Sequence, residues 1–577
     1  MSALLIMLFT FGGYIVMYKI YGKFIGNKIF SINNKNSVPS VEKEDGVDYV
    51  PTKKQIIFGH HFASIAGTGP IVGPAIAIIW GWVPAMIWIF VGSVVMGAVH
   101  DFGSLIISLR NDGKSISELT AKYINPRTKI FFFIIVFLEL WIVISIFGLV
   151  IAIIFSIYPT SVIPVWLQLP IAMLLGFVIY KKGGNLTLYT IIAVVLMYLS
   201  MVVGNFIPIE MPSLFGLPST AVWTIILLIY AFIASVLPVT SLLQPRDFIN
   251  AYQLAIAMTL IILGIIFSAV SDELEIVAPA VQTKPADAPP MLPFLFIIIA
   301  CGAISGFHSL VSSGTSAKQV RQENDSLFVG YGSMLLEGAL ATLVVIAVAA
   351  GIGMGYKSTD GQMLEGVAAW TNHYSSWAVA QGLGSKIGAF VEGASNMIGS
   401  LGIPKNISLV IMGVFVASFA GTTLDTATRI QRYVVTELFS GFKNKIFSNR
   451  YIVTFFVVLT AAILAFATGA DGKGALSLWP LFGAVNQTLA ALALIIITLY
   501  LKPKGNNKWL VAGIPALFMS VITFWATIMN QNSFMSNNEI LLSVVNGIIM
   551  VIVLWVTIEG IIKFFHLHKN TKYVKNS

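Results

Sequence analysis

Cysteine is nearly missing from this 577-residue chain, which has one, Cys301. A single thiol excludes an internal disulfide framework and a cysteine-clustered zinc site. Charge is also scarce. Asp, Glu, Lys and Arg make up 10% of residues, 57% are hydrophobic and mean hydropathy is +0.87, whereas a soluble domain carries about 25% charged residues. No polar stretch of about 100 residues separates the apolar runs, so no soluble catalytic module fits. Neither a GxxxxGK[ST] phosphate loop nor an HExxH pair occurs, which argues against ATP-driven transport and against a zinc hydrolase. No nucleophile–base pattern supports an intramembrane hydrolase. The expectation is a non-enzyme without cofactor or metal.

What the chain has in abundance is apolar runs near the 20 residues that a membrane-crossing helix needs. About fifteen can be read, at 3–22, 58–80, 82–109, 130–157, 163–181, 186–207, 221–243, 252–270, 291–316, 330–353, 406–424, 450–470, 476–501, 509–529 and 540–565. The first lacks the basic start and cleavage site of a signal peptide, and Lys19 closes it, so it reads as a span. With residue 1 outside, the loops at 23–57, 110–129, 181–185, 244–251, 317–329, 425–449 and 502–508 and the tail from 566 lie inside. They hold most of the Lys and Arg; the opposite loops hold Lys284, Lys357, Lys386, Lys405 and Lys473. This positive-inside asymmetry places the N-terminus outside and the C-terminus in the cytoplasm. It also accounts for the net charge of +9 without a nucleic-acid partner.

One run cannot stay a regular helix. Gly59–Ile78 carries Gly67, Gly69, Pro70, Gly73 and Pro74. Each glycine weakens a helix by roughly 1 kcal/mol, and an interior proline costs about 3. In hydrocarbon such a break is tolerated where it lines a cavity or site. The span at 221–243 also reads as interrupted, at Ser235–Thr240, with Gln244-Pro245 beyond. These features predict two inverted units, 58–207 and 221–353, each led by a discontinuous helix. Residues 1–57 would form an accessory span and cytoplasmic loop, 354–404 an external loop with a partly helical, membrane-touching piece, and 405–577 accessory spans. Interrupted helices leading inverted units point to a transporter's central site.

GHHFASIAGTGPIVGPAIA at 59–77 and WGWVPAMIWIFVGSVVMGAVHDF at 80–102 resemble the carbon starvation protein A family. LPVTSLLQPRDFIN at 237–250, GTTLDTATRIQRY at 421–433 and LWPLFGAVNQTLAALAL at 478–494 look like later blocks of that family. The resemblance implies an all-α polytopic protein of the LeuT-like, five-plus-five inverted-repeat fold. It also implies a proton-coupled symporter of the bacterial plasma membrane that takes up peptides or pyruvate during carbon or nutrient starvation. The alternatives are a sodium-coupled carboxylate or peptide symporter, and a nutrient sensor acting with a partner kinase.

Candidate residues follow from chemistry. Gly67, Thr68, Gly69 and Pro70 would end one half-helix and begin another, whose free amides suit a carboxylate. Ser235, Pro238 and Thr240 mark the second expected break. The bland reading of both is a kink packed against neighbours. Titratable groups at membrane depth are costly and default to function. His100, Asp101, Glu139 and His308 are candidates for the coupling proton, and Glu337 has the same two readings as Glu139, proton carrier or internal hydrogen-bond partner. Asp101 also reads as a salt-linked helix end near Arg110. His60, His61 and Asp425 are gate candidates, with Asp425 a cap or ion-pair partner near Arg429. A metal site of His60, His61, His100 and Asp101 is not expected. Ser312, Ser313 and Thr315 offer hydroxyls for sodium, or for their own helix carbonyls; Lys318 follows one turn on and would repel or replace a cation.

Overall fold

The computed structural model describes residues 3–358, 361–439 and 445–575. It is an all-α polytopic membrane protein. Where water is absent each peptide group must pair within its own segment, so the apolar runs become helices. Among the described residues, twelve are long and apolar enough to cross a membrane, or 13 with one bent pair counted as a span. The expected runs that fall outside this count are 450–470, whose helix Arg450–Ala465 has 16 residues, and 291–316, which is broken. Several starts are set by asparagine, whose side chain accepts amides of the first turn: Asn125 before Pro126–Ile157, Asn185 before Leu186–Phe206, Asn449 before Arg450–Ala465.

The first broken span is where the glycines and prolines put it. Helix Lys54–Ala66 ends, and Gly69–Ala77 starts after Gly67 and Thr68, with the two halves bent by 41°. The second break is elsewhere than expected. Ser219–Val236 is already 18 residues long, and Leu243–Val270 begins a new span, so Ser235, Pro238 and Thr240 belong to the end of a span and the turn after it. The second discontinuous span is Met291–Ile298 plus Gly306–Gly314, with Ile299–Ser305 outside any helix. Gly302 takes φ +89° there, and Gly67 takes φ +36° in the first break.

The two breaks meet. Gly69 faces Cys301, and Gly73 faces the carbonyl of Ile298. Around them, Pro126–Ile157 and Lys405–Leu438 form the most extensive helix pair in the molecule. Leu243–Val270 packs on Lys54–Ala66, and Trp479–Leu501 packs on Gly306–Gly314. The segment 354–404, expected as an external loop with a partly helical, membrane-touching piece, carries a helix of 17 residues. Its helix Leu383–Gly399 packs against Gly69–Ala77, Ser333–Ala349 and Lys405–Leu438.

Candidate functional site

At the first break the chain reverses nothing; it pauses and restarts, which exposes backbone at mid-span. Of the residues that open Gly69–Ala77, Ile71 and Val72 donate their amides to the Thr68 carbonyl at 3.2 and 2.9 Å and Pro70 has none to give, which leaves the Gly69 amide. Gly67 sits so close to Lys405–Leu438 that a Cβ would come 2.5 Å from Thr423 Oγ1 and 3.3 Å from the Phe147 ring. Thr423 Oγ1 itself donates to the Ser64 carbonyl at 3.3 Å, and Ser64 Oγ lies 3.2 Å from Thr426 Oγ1. Thr423 and Thr426 thus set hydroxyls against the end of the first half-helix, beside the break. Ser313 and Thr315 instead donate to their own helix carbonyls, of Ser309 and Val311, and Ser312 Oγ has no partner among the described residues.

Between the two breaks is a cavity of about 30 Å³, room for about two waters. Gly67, Thr68, Gly69, Cys301, Ser305 and Thr423 supply its polar wall, and Phe147, Phe307, Trp479 and Phe482 its apolar wall. No Asp, Glu, Lys or Arg lines it. The other helix start at the site, Gly306–Gly314, is occupied by protein: Asn486 Oδ1 accepts the Phe307 amide at 2.9 Å and stands 3.1 Å from Ser305 Oγ. At the start of Gly69–Ala77 the Gly69 amide is left for a ligand anion.

Beside the second break, three spans bring acids and imidazoles together without solvent. Asp101 lies between two histidines, with His100 Nδ1 2.8 Å from Oδ1 and His308 Nδ1 3.0 Å from Oδ2. His308 Nε2 then stands 3.3 Å from Glu337 Oε2, without hydrogen-bond alignment. Glu337 Oε1 accepts the Gly302 amide at 3.1 Å, which ties this set to the break itself. All four side chains are 0% exposed. Arg110 is not a partner of Asp101, because it pairs with Glu323 and donates to Tyr500 Oη at 2.9 Å. Cys301, His308 and Glu337 also offer ligand-type atoms within 4.8 Å of one another, the one such trio of His, Cys, Asp or Glu among the described residues. It differs from the His60–His61–His100–Asp101 set considered above. Glu139 is fully buried, has no hydrogen-bond partner among the described residues and shares none with this set.

A second charged cluster joins spans on the side where the basic loops gather. His60 Nδ1 meets Asp247 Oδ2 at 2.6 Å, and Arg246 bridges Asp247 and Asp425, its Nη2 2.5 Å from Asp247 Oδ1. Tyr230 Oη donates to Asp425 Oδ2 at 2.9 Å. The ion pair of Asp425 is thus with Arg246, while Arg429 pairs with Asp48 at 2.6 Å. His61 is separate, with Nδ1 2.8 Å from Ser316 Oγ. Lys318 points away from the breaks, with Nζ 3.6 Å from the Tyr433 ring centre. In the segment before the first broken span, burial alone would raise the Asp48 carboxyl, but Arg429 and Arg432 outweigh it and hold it at about 2.

Two broken spans with apposed interruptions, a cavity at the apposition and a buried acid–imidazole set beside it define a polytopic membrane transporter. The chain belongs to the carbon starvation protein CstA family, whose model matches residues 2–526. The peptide transporter CstA of Campylobacter jejuni is 32% identical over 567 residues, covering 91% of this chain and 80% of its own. The pyruvate/proton symporter BtsT of Escherichia coli is 31% identical over 587 residues, covering 91% and 81%. The peptide transporter CstA of Bacillus subtilis is 30% identical over 565 residues, covering 93% and 92%.

Proposed function

We propose that the chain is a secondary active transporter of the plasma membrane that couples inward movement of a small carboxylate to protons. The observation that carries this reading is the cavity at the apposed breaks. It presents the Gly69 amide, at the positive end of a helix, to an anion, and its lining has no acidic side chain for a peptide's ammonium group. Relatives carry the names of both peptide and pyruvate carriers. The uncharged lining favours the pyruvate-like substrate. Asp101, His308 and Glu337 are the proposed proton-handling set: loading one proton changes their net charge, and the Gly302 amide links that change to the second break. The sodium alternative rests on Ser64, Thr423 and Thr426 rather than on Ser312, Ser313 and Thr315.

The packing supports inverted units with boundaries other than 58–207 and 221–353. One unit takes the spans 54–80, 82–109, 126–157, 219–236 and 243–270, with the hairpin 159–206 inserted. The other takes 291–314, 327–354, 405–438, 450–465 and 474–504, with 366–399 inserted. Each starts with a broken span, each third span packs on the other's, and each fifth packs on a half-helix of its own unit. An odd number of crossings separates the starts, so the units are inverted.

Uptake of labelled pyruvate and labelled dipeptides into proteoliposomes tests the function. Pyruvate accumulation driven by an inward proton gradient and abolished by protonophore is expected. Accumulation that ignores the proton gradient and needs sodium moves coupling to the hydroxyl set, and dipeptide uptake without pyruvate uptake overturns the substrate.

A further inference from the structure

A cavity of about 530 Å³ lies between the N-terminal helix Ala3–Phe30 and the spans Lys54–Ala66, Leu243–Val270 and Leu327–Met354, away from the two breaks. Small residues make its space: Ala251, Ala255, Gly332 and Ala339 stand where larger side chains would close it. Its mouth opens sideways, since Ile15, Ala255 and Thr259 are exposed on the apolar perimeter. At that depth the surrounding solvent is acyl chain.

One end of the cavity has the chemistry of a headgroup level. Tyr18, Phe58 and Phe328 form it, with Lys19 at the rim and Lys54 Nζ 4.6 Å from the Phe328 ring centre. Tyrosines and lysines of this kind mark the membrane–water interface. Among the described residues neither Lys19 nor Lys54 has an ion-pair partner within 4.0 Å. Asp325 is the carboxylate whose field reaches Lys54. The other end, at Phe11, lies eight residues back along the helix, about 12 Å deeper at 1.5 Å per residue. That is most of one leaflet's hydrocarbon depth, roughly 15 Å. An apolar slot of one leaflet's depth, open to hydrocarbon and ending in two unpaired cations, matches an acyl chain attached to a phosphate.

We infer that this cavity is a binding site for an anionic phospholipid of the cytoplasmic leaflet, with one acyl chain in the slot and its phosphate between Lys19 and Lys54. Phe58 and Phe62, which wall the slot, belong to the inner half of the first broken span. The bound lipid therefore braces that half-helix against the N-terminal helix.

Native mass spectrometry of the full-length protein, equilibrated with phosphatidylglycerol or phosphatidylcholine, tests the assignment. Wild type should retain phosphatidylglycerol preferentially. Lys19→Ala with Lys54→Ala should weaken that retention about 30-fold and leave phosphatidylcholine unchanged. Ala255→Trp, which fills the slot from its hydrocarbon-facing rim, should remove the adduct with both lysines in place. Equal retention of the two lipids by wild type overturns the headgroup assignment. Undiminished phosphatidylglycerol in Ala255→Trp overturns the slot.

Discussion

At the residue scale the closest approach across the two breaks is at Gly69. An added Cβ would overlap the side chain of Cys301 across the breaks, with Cys301 Cβ at 2.5 Å, and something must shift. Gly69→Ala should therefore lower uptake about tenfold or more while leaving the protein in the membrane, because a sub-ångström displacement of an approach geometry is expensive. Cys301→Gly in the same chain should restore part of it; wild-type uptake by Gly69→Ala alone would separate the break from the substrate. The buried set gives a second test. Asp101→Asn and His308→Gln should flatten the rise of uptake as external pH falls from about 8 to 6, with a smaller effect on substrate affinity, read from initial rates at several pH values. Glu139→Gln should leave that rise intact, since Glu139 shares no bond with the set. Sequence made Gly67, Gly69, Asp101 and His308 visible because glycine, proline and charge are conspicuous in an apolar run. It left Asn486, Arg246 and Asp247 out. Asn486 is an amide in a helix that reads as plain, and the Arg246-Asp247 pair sits where a span end is indistinguishable from a loop until its partners Asp425 and His60 are placed.

At the scale of elements, the segment before the first broken span works as a strap across the span ends on the side of the basic loops. Asp45 Oδ1 accepts the amides of Val47, Asp48 and Tyr49, which turns the chain. Val50 and Thr52 donate their amides to the carbonyls of Lys318 and Gln319. Asp48 then pins Arg429 and Arg432. Asp48→Asn leaves the buried Arg429 without its counter-charge, a change that typically costs about 3–5 kcal/mol, so thermal melting should shift down clearly. The pH dependence has a definite sign. The folded carboxyl lies at about 2, below the ordinary value of 3.8. Its contribution is complete above about pH 4 and is lost as pH falls from 4 toward 2. Melting temperatures measured across that window should fall more for wild type than for Asp48→Asn, and the strap should contribute nothing to pH effects between 6 and 8. The misplaced second break has a physical reason at this scale. Proline and serine mark a turn between spans and a break within one equally well, so Ser235–Thr240 reads as either. Only the 18 residues of Ser219–Val236, already long enough to cross, decide for a turn. The true break, Ile299–Ser305, has no proline and sits within an apolar run long enough to pass for a continuous span.

For the whole molecule, the loops that sequence places on one side are the loops the structure puts in contact. Asp48 meets Arg429, Lys43 meets Asp112, and Arg110 meets Glu323, all from expected inside loops or the span ends beside them. Thr220 meets Asp471, Asn205 meets Asn406, and Ala286 meets Trp377, all from expected outside ones. The polytopic all-α class was legible because it depends on local hydropathy. Which spans pack together was not, because it depends on contacts across hundreds of residues. The contacts fix the two faces; the basic residues decide which face is cytoplasmic. Single cysteines at Asn506 and Asn538, in exposed turns at opposite ends of Leu510–Ser536, test this. In sealed cells a membrane-impermeant maleimide should label Asn538→Cys and spare Asn506→Cys, and the pattern should reverse in inside-out vesicles. The unsubstituted protein, with Cys301 alone, is the background to subtract. Labelling of Asn506→Cys from outside would invert the molecule, turning the strap at Asp48 and the lysines beside the lipid slot toward the external face.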